Sequence, residues 1–225
     1  MKITYYGHSC FGIELGGKKI IFDPFITPNE LAKGIDVNSI KADFVFLSHG
    51  HADHVADAEA IARNNDAVIV AVYEIATYYA GKNLKYHPMN IGGSWDFGHF
   101  QVKAVNAVHS SVLPDGTYAG NPMGFVLSAE GKNYYYSGDT ALHMDMQLIG
   151  EEFNIDAAFL CMGDNFTMGV KDAVRAAQFV KTKRVVAMHF DTFPFIKIDH
   201  DKAVSMFKEK QTELIIPVIG QSFEL

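Results

Sequence analysis

A four-layer αββα sandwich built from two similar halves is the architecture the sequence predicts, and three observations carry the prediction. Apolar runs alternate with helical patterns in the strand, helix, strand order that lays crossovers onto a sheet. The same series of elements occurs twice along the chain. Side chains able to ligate a metal recur at the ends of predicted strands in both halves.

Met1 to Tyr6 reads as the opening strand. Phe11 to Leu15 and Lys19 to Phe22 flank the turn Gly16-Gly17-Lys18, a hairpin signal that ends at Asp23. Asp43 to Gly50 begins as an apolar strand, a helix starts near Val55 with Ala58, Ile61 and Ala62 on one face, and Ala67 to Tyr73 supplies the next strand. After a strand from Phe100 to Val108, a second hairpin joins Phe125 to Ala129 with Asn133 to Ser137 through Glu130-Gly131-Lys132 and ends near Asp139. Asp156 to Gly163 repeats the apolar strand. Val170 opens a helix with Ala173, Val174, Ala177 and Val180 on one face, and Arg184 to His189 is the strand that follows. Gly17 and Gly131 stand as far apart as Asp43 and Asp156 to within one residue, so the two halves keep register.

Composition narrows the function. The 225 residues are 48% hydrophobic and 20% charged, an ordinary globular balance with no apolar run long enough for a membrane-spanning helix. No linker or low-complexity tract divides the chain, so one domain over residues 1–225 is expected. Asp and Glu outnumber Lys and Arg by 26 to 19, and the net charge of -7 disfavours a nucleic-acid partner. Without a secretory signal pattern, the expected location is cytoplasmic. Cys10 and Cys161 form no CxxC pair and read as free, buried thiols rather than a disulfide or thiolate zinc site.

Histidine is unusually frequent, with 10 residues. Ser48-His49-Gly50-His51-Ala52-Asp53-His54 packs four potential ligands into one loop between a strand and a helix. His49 and His51 project to one side of an extended segment. Asp53 and His54 sit where the chain bends into the helix and can face a second point, so one loop can serve two cations. Imidazole with carboxylate suits zinc, manganese or iron. His109, Asp139 and His189, each at a predicted strand end, are the further candidates.

Together these residues resemble the metallo-β-lactamase superfamily. The resemblance implies His49, His51 and His109 on a first metal, Asp53, His54 and His189 on a second, and Asp139 between them, with Zn or Mn as the ions and Fe also compatible. Gly7-His8-Ser9, Phe22-Asp23-Pro24, Gly163 to Gly169 and Met188-His189-Phe190 look like the branch of small metal-dependent hydrolases related to L-ascorbate-6-phosphate lactonase. His51 separates the chain from the flavodiiron oxidases, which carry Glu there. A water shared by two cations deprotonates far more readily than bulk water. The expected chemistry is therefore attack by a metal-bridging hydroxide on a small ester-like substrate, a lactone or a phosphodiester, with Asp53 orienting the nucleophile.

His8 is expected to protonate the leaving group, to contact an anionic substrate, or to support a ligand from behind. Asp23 is expected to accept a hydrogen bond from a ligating imidazole. Asp164, Asn165 and Thr167 are expected either to line the substrate pocket or to cap the helix that follows. His87, His99, His143 and His200 lack partners at ligand spacing and read as surface or packing residues. The expected partner is a small-molecule substrate, with no membrane and with homo-oligomerisation implied by relatives of this branch. The rival reading is a metal-binding regulatory or assembly module without catalysis.

Overall fold

The computed structural model describes residues 1–225. The chain runs through β1 (Lys2–Gly7), β2 (Cys10–Leu15), β3 (Lys18–Phe22), β4 (Phe44–Phe46), α1 (Ala52–Val55), α2 (Ala58–Asn65), β5 (Val68–Val72), α3 (Tyr73–Ala80) and β6 (Tyr86–Met89). It continues through β7 (Ser94–Asp96), β8 (Gln101–Asn106), β9 (Met123–Ala129), β10 (Lys132–Tyr136), α4 (Asp145–Glu152), β11 (Ile155–Cys161), α5 (Val170–Phe179), β12 (Arg184–Met188), α6 (His200–Glu209), β13 (Glu213–Ile215) and β14 (Ser222–Glu224).

Two seven-stranded sheets result, in the orders β14-β1-β2-β3-β4-β5-β6 and β7-β8-β9-β10-β11-β12-β13. Each contains an antiparallel hairpin, β2–β3 or β9–β10. Parallel steps follow from β3 to β6 in one sheet and from β10 to β13 in the other. Even the outermost antiparallel additions correspond, β14 on β1 and β7 on β8. The repeat therefore marks two equivalent sheets.

The inner faces meet through large apolar side chains. The Phe22 ring lies 4.5 Å from that of Tyr136, Phe46 lies 5.1 Å from Phe125, and Phe11 lies 5.0 Å from Phe159. Such aromatic pairs add about 0.5–1.5 kcal/mol each beyond the area they bury. On the outside, α2 and α3 pack against β4, β5 and β6, while α5 packs on β11 and α6 on β13. That arrangement is the predicted αββα sandwich.

Several local expectations change. The helix expected near Val55 is split into α1 and α2 because the Asp57 carboxylate accepts from the backbone N–H groups of Ile26 and Thr27, at 2.7 and 2.9 Å, and its own N–H bonds Pro24. The strand expected to reach Tyr73 ends at Val72, where α3 begins without a linker. Cys10 and Cys161 are free and buried, as expected. Trp95 is half exposed, its ring 4.8 Å from that of His87. No helix is long and apolar enough to cross a membrane.

Candidate metal centre

Strand direction explains why distant residues converge. In the first sheet β1, β3 and β4 point the same way, and in the second so do β8, β10 and β12. Each places a polar side chain just beyond its C-terminal end: His8, Asp23, the His49–His54 loop, His109, Asp139 and His189 in turn. Backbone hydrogen bonds tie the two rims together, from His189 N–H to the His8 carbonyl at 2.9 Å and from Met123 N–H to the Ser48 carbonyl at 3.0 Å. Glycine is required where the chains approach most closely. A Cβ on Gly163 would stand 2.2 Å from the His189 carbonyl oxygen, and one on Gly50 would stand 2.5 Å from Ala119 Cβ.

The donors at the rim form two adjoining groups, and Asp23 stands within 4.8 Å of donor atoms of His49 and His54. His49, His51 and His109 bring one ring nitrogen each within 4.8 Å of one another. Asp53, His54 and His189 form the other group at the same spacing, joined there by His8. Asp139 Oδ2 lies between the groups, 2.8 Å from His189 Nε2, 3.3 Å from His54 Nε2 and 3.8 Å from His109 Nε2. Every ligand candidate from the sequence is thus brought to one place. Asp164 instead lines a groove between α5 and α6 that contains none of these imidazoles, and α5 has Gly169 at its N-cap with no side-chain cap from the 164–167 segment. His87 and His200 are likewise engaged elsewhere, His87 with Trp95 and His200 with Asp191 at 2.7 Å.

Asp23 organises the imidazoles from behind. Its Oδ1 accepts from Ser48 N–H at 2.7 Å, while its Oδ2 accepts from the Ser48 hydroxyl at 2.6 Å, from Tyr136 OH at 2.8 Å and from His54 Nδ1 at 2.9 Å. Because Ser48 gives its only hydroxyl proton to Asp23, it accepts from His49 Nδ1 at 2.9 Å. One carboxylate therefore engages Nδ1 of two imidazoles, directly and through Ser48, and leaves both Nε2 atoms facing the centre. The role expected of Asp23 matches this geometry. Neither the Ser48 relay nor the Tyr136 contact from the opposite sheet was visible as spacing in the sequence.

The donor set fits cations. His8 Nε2, His54 Nε2, Asp139 Oδ1 and His189 Nδ1 are buried without hydrogen-bond partners, and an unsatisfied buried polar atom costs about 1–3 kcal/mol. Burial lowers the pKa of His49, His51 and His109, which keeps their rings in the neutral, ligating form. Burial opposes ionisation of Asp139, yet His189 and His54 outweigh it and hold the carboxyl well below its ordinary value. Burial likewise opposes a charge on His54, but the Asp139 and Asp23 carboxylates raise its pKa well above that of free imidazole, so a cation would take the place of the Nε2 proton beside Asp139. The backbone is left-handed at His8, Asp23 and His189, with φ of 56°, 40° and 55°. Such strain in non-glycine residues concentrates at functional sites.

Comparison with known proteins gives a consistent result. Residues 2–189 match the model of the beta-lactamase superfamily domain. A UPF0173 metal-dependent hydrolase of Flavobacterium johnsoniae is 52% identical over 225 residues, covering 100% of both chains. Among solved structures, Igni18, a metallo hydrolase from Ignicoccus hospitalis, is 32% identical with a TM-score of 0.90, covering 100% of this chain and 98% of its own. The metallo-β-lactamase fold protein YhfI from Bacillus subtilis shares the fold, with a TM-score of 0.73 at 17% identity and coverage of 99% of both chains.

Proposed function

The chain belongs to the metallo-β-lactamase superfamily, and from that premise we propose that it is a metal-dependent hydrolase of small ester-like substrates, working with two divalent cations. The observation that carries this reading is the position of Asp139, whose single Oδ2 reaches imidazoles of both donor groups. His49, His51 and His109 would hold one cation, Asp53, His54 and His189 the other, with Asp139 shared. Cations in such a site acidify water toward neutral pH and polarise the carbonyl or phosphoryl oxygen under attack.

The protein's own groups prepare the reaction. Asp53 is the carboxylate of the centre that solvent reaches, with 28% of its side chain accessible, so it is placed to hold the attacking water and take up its proton. Asp23 and Ser48 keep the His54 and His49 rings fixed throughout. Ser110 reaches His51 Nε2 at 3.4 Å from the loop that carries His109.

The loops around the centre favour an uncharged acyl ester, such as a lactone, over a phosphodiester. The loops that carry the donors, residues 47–57, 107–122, 137–144 and 189–196, contain no lysine or arginine to meet the charge of a phosphodiester. Phe195, exposed shortly after His189 in the chain, supplies apolar contact area for the substrate body. The test is hydrolysis by metal-loaded protein of a lactone panel, followed by proton release, beside bis(p-nitrophenyl) phosphate. The expected result is the higher kcat/KM on a lactone, lost in Asp53→Ala. Preference for the phosphodiester would overturn the substrate class. Inertness of metal-replete protein toward both, with a bound macromolecular partner, would favour the non-catalytic reading.

A further inference from the structure

Resting on the two-cation reading above, we infer that His8 is an additional ligand of the second cation through its Nε2, and that Thr192 sets it in that role. Three features of the geometry carry this. The Thr192 hydroxyl donates to the Phe190 carbonyl at 3.3 Å and lies 3.0 Å from His8 Nδ1. With its one proton committed, Thr192 accepts from Nδ1–H, so Nε2 presents a bare lone pair. That nitrogen is buried and has no hydrogen-bond partner, although Asp53 Oδ2 is 3.2 Å away, because the two are not aligned for one. It instead shares the compact donor group of Asp53, His54 and His189.

The surroundings distinguish a ligand from a proton donor. The His8 side chain has no exposure, its ring set against that of His189 at 4.2 Å and closed in by Phe25 at 5.5 Å and Phe193 at 5.4 Å. A group that protonates a leaving atom must carry its proton on the nitrogen facing the substrate, and here the proton faces Thr192. The left-handed backbone at His8 is held by two donors on its carbonyl, Tyr5 OH at 3.1 Å and His189 N–H at 2.9 Å. The main chain is thus fixed where the ring meets the cluster, as a ligand position requires.

The test measures metal binding rather than turnover. Zinc stoichiometry and both dissociation constants are determined by elemental analysis and chelator competition for the wild type, His8→Gln, Thr192→Val and the control His54→Ala, with folding checked by circular dichroism. We expect His8→Gln to retain the first zinc with unchanged affinity and to bind the second at least 100-fold more weakly. Thr192→Val keeps the ligand but frees its tautomer, and a 10–100-fold weakening of the second zinc alone is expected. Should His8→Gln not fold, Thr192→Val decides. Two zinc ions bound with wild-type affinity in the folded variants, while His54→Ala loses one, would overturn the role of His8 and leave the two-cation site intact. If His54→Ala also keeps both ions, the two-cation reading itself falls and the inference with it.

Discussion

At the residue scale, Asp23 shows how one buried carboxylate can govern a centre it does not face. It receives four hydrogen bonds, from a backbone amide, a hydroxyl, a phenol and an imidazole, and through Ser48 it reaches a second imidazole. Replacing it by asparagine turns one acceptor into a donor amid groups that donate already. We expect Asp23→Asn to weaken zinc binding about 10–100-fold while the protein remains folded. Chelator competition beside a circular dichroism spectrum measures both. Affinity equal to the wild type would show that the imidazoles hold their orientation without it. The sequence placed Asp23 at a hairpin end and so made its position legible. Its partner Tyr136 lies on the opposite sheet, and no spacing along the chain indicates that contact.

At the element scale, the first half of the sandwich is held to the second by aromatic side chains. Phe125, fully buried on β9, sits between Phe22 and Phe46 of the other sheet, with ring centres at 6.0 and 5.1 Å. Truncation would leave a cavity between two rigid sheets that cannot collapse independently, so Phe125→Ala should cost about 3–5 kcal/mol. A fall in the urea midpoint at unchanged slope is the expected signature, and a loss below about 1 kcal/mol would show that the sheets do not depend on this contact.

The elements the sequence concealed have specific causes. In α3, the Val-Tyr-Glu-Ile-Ala-Thr-Tyr-Tyr stretch is rich in residues that favour strands, and helix follows strand without a turn residue between them. The pattern read as a helix from near Val55 was genuine, but Asp57 is drawn away to cap backbone amides of the 26–27 segment, and the helix breaks there. Local propensity did not contain either outcome, because each is set by where neighbouring chain lies.

At the scale of the whole molecule, cation binding would be coupled to folding. The candidate ligands from both sheets meet only in the folded chain, so a bound cation would stabilise that state by about 2.7 kcal/mol at a free concentration 100 times Kd. For a domain of this length, chelation should lower the Tm by about 5–10 °C, read by thermal unfolding with and without excess chelator. An unchanged Tm would argue that no cation bridges the sheets. The chelated protein should also lose stability as it is acidified. Burial lowers the pKa of His8 to about 4 from 6.5, with His189 acting in the same direction. The unfolded chain then binds a proton that the folded chain refuses. This contribution is complete above about pH 6.5 and declines toward pH 4, which urea midpoints across that range would show. Rising stability on acidification over the same interval would contradict it.

The sequence by itself determined the doubling of the fold and named the candidate donors that the fold brings together. An equal spacing of hairpin and strand in the two halves preserves sheet order, and three histidines with an aspartate in one short loop have few other physical uses. Tertiary structure alone decided which nitrogen each imidazole turns inward, since that depends on Ser48, Asp23 and Thr192 acting across distances in the chain of up to 184 residues. It alone also brought His8 into the second donor group. A candidate donor is a matter of side-chain chemistry and can be named from one dimension. Ligand orientation is a property of hydrogen bonds between sheets, and those exist only after the sheets have packed.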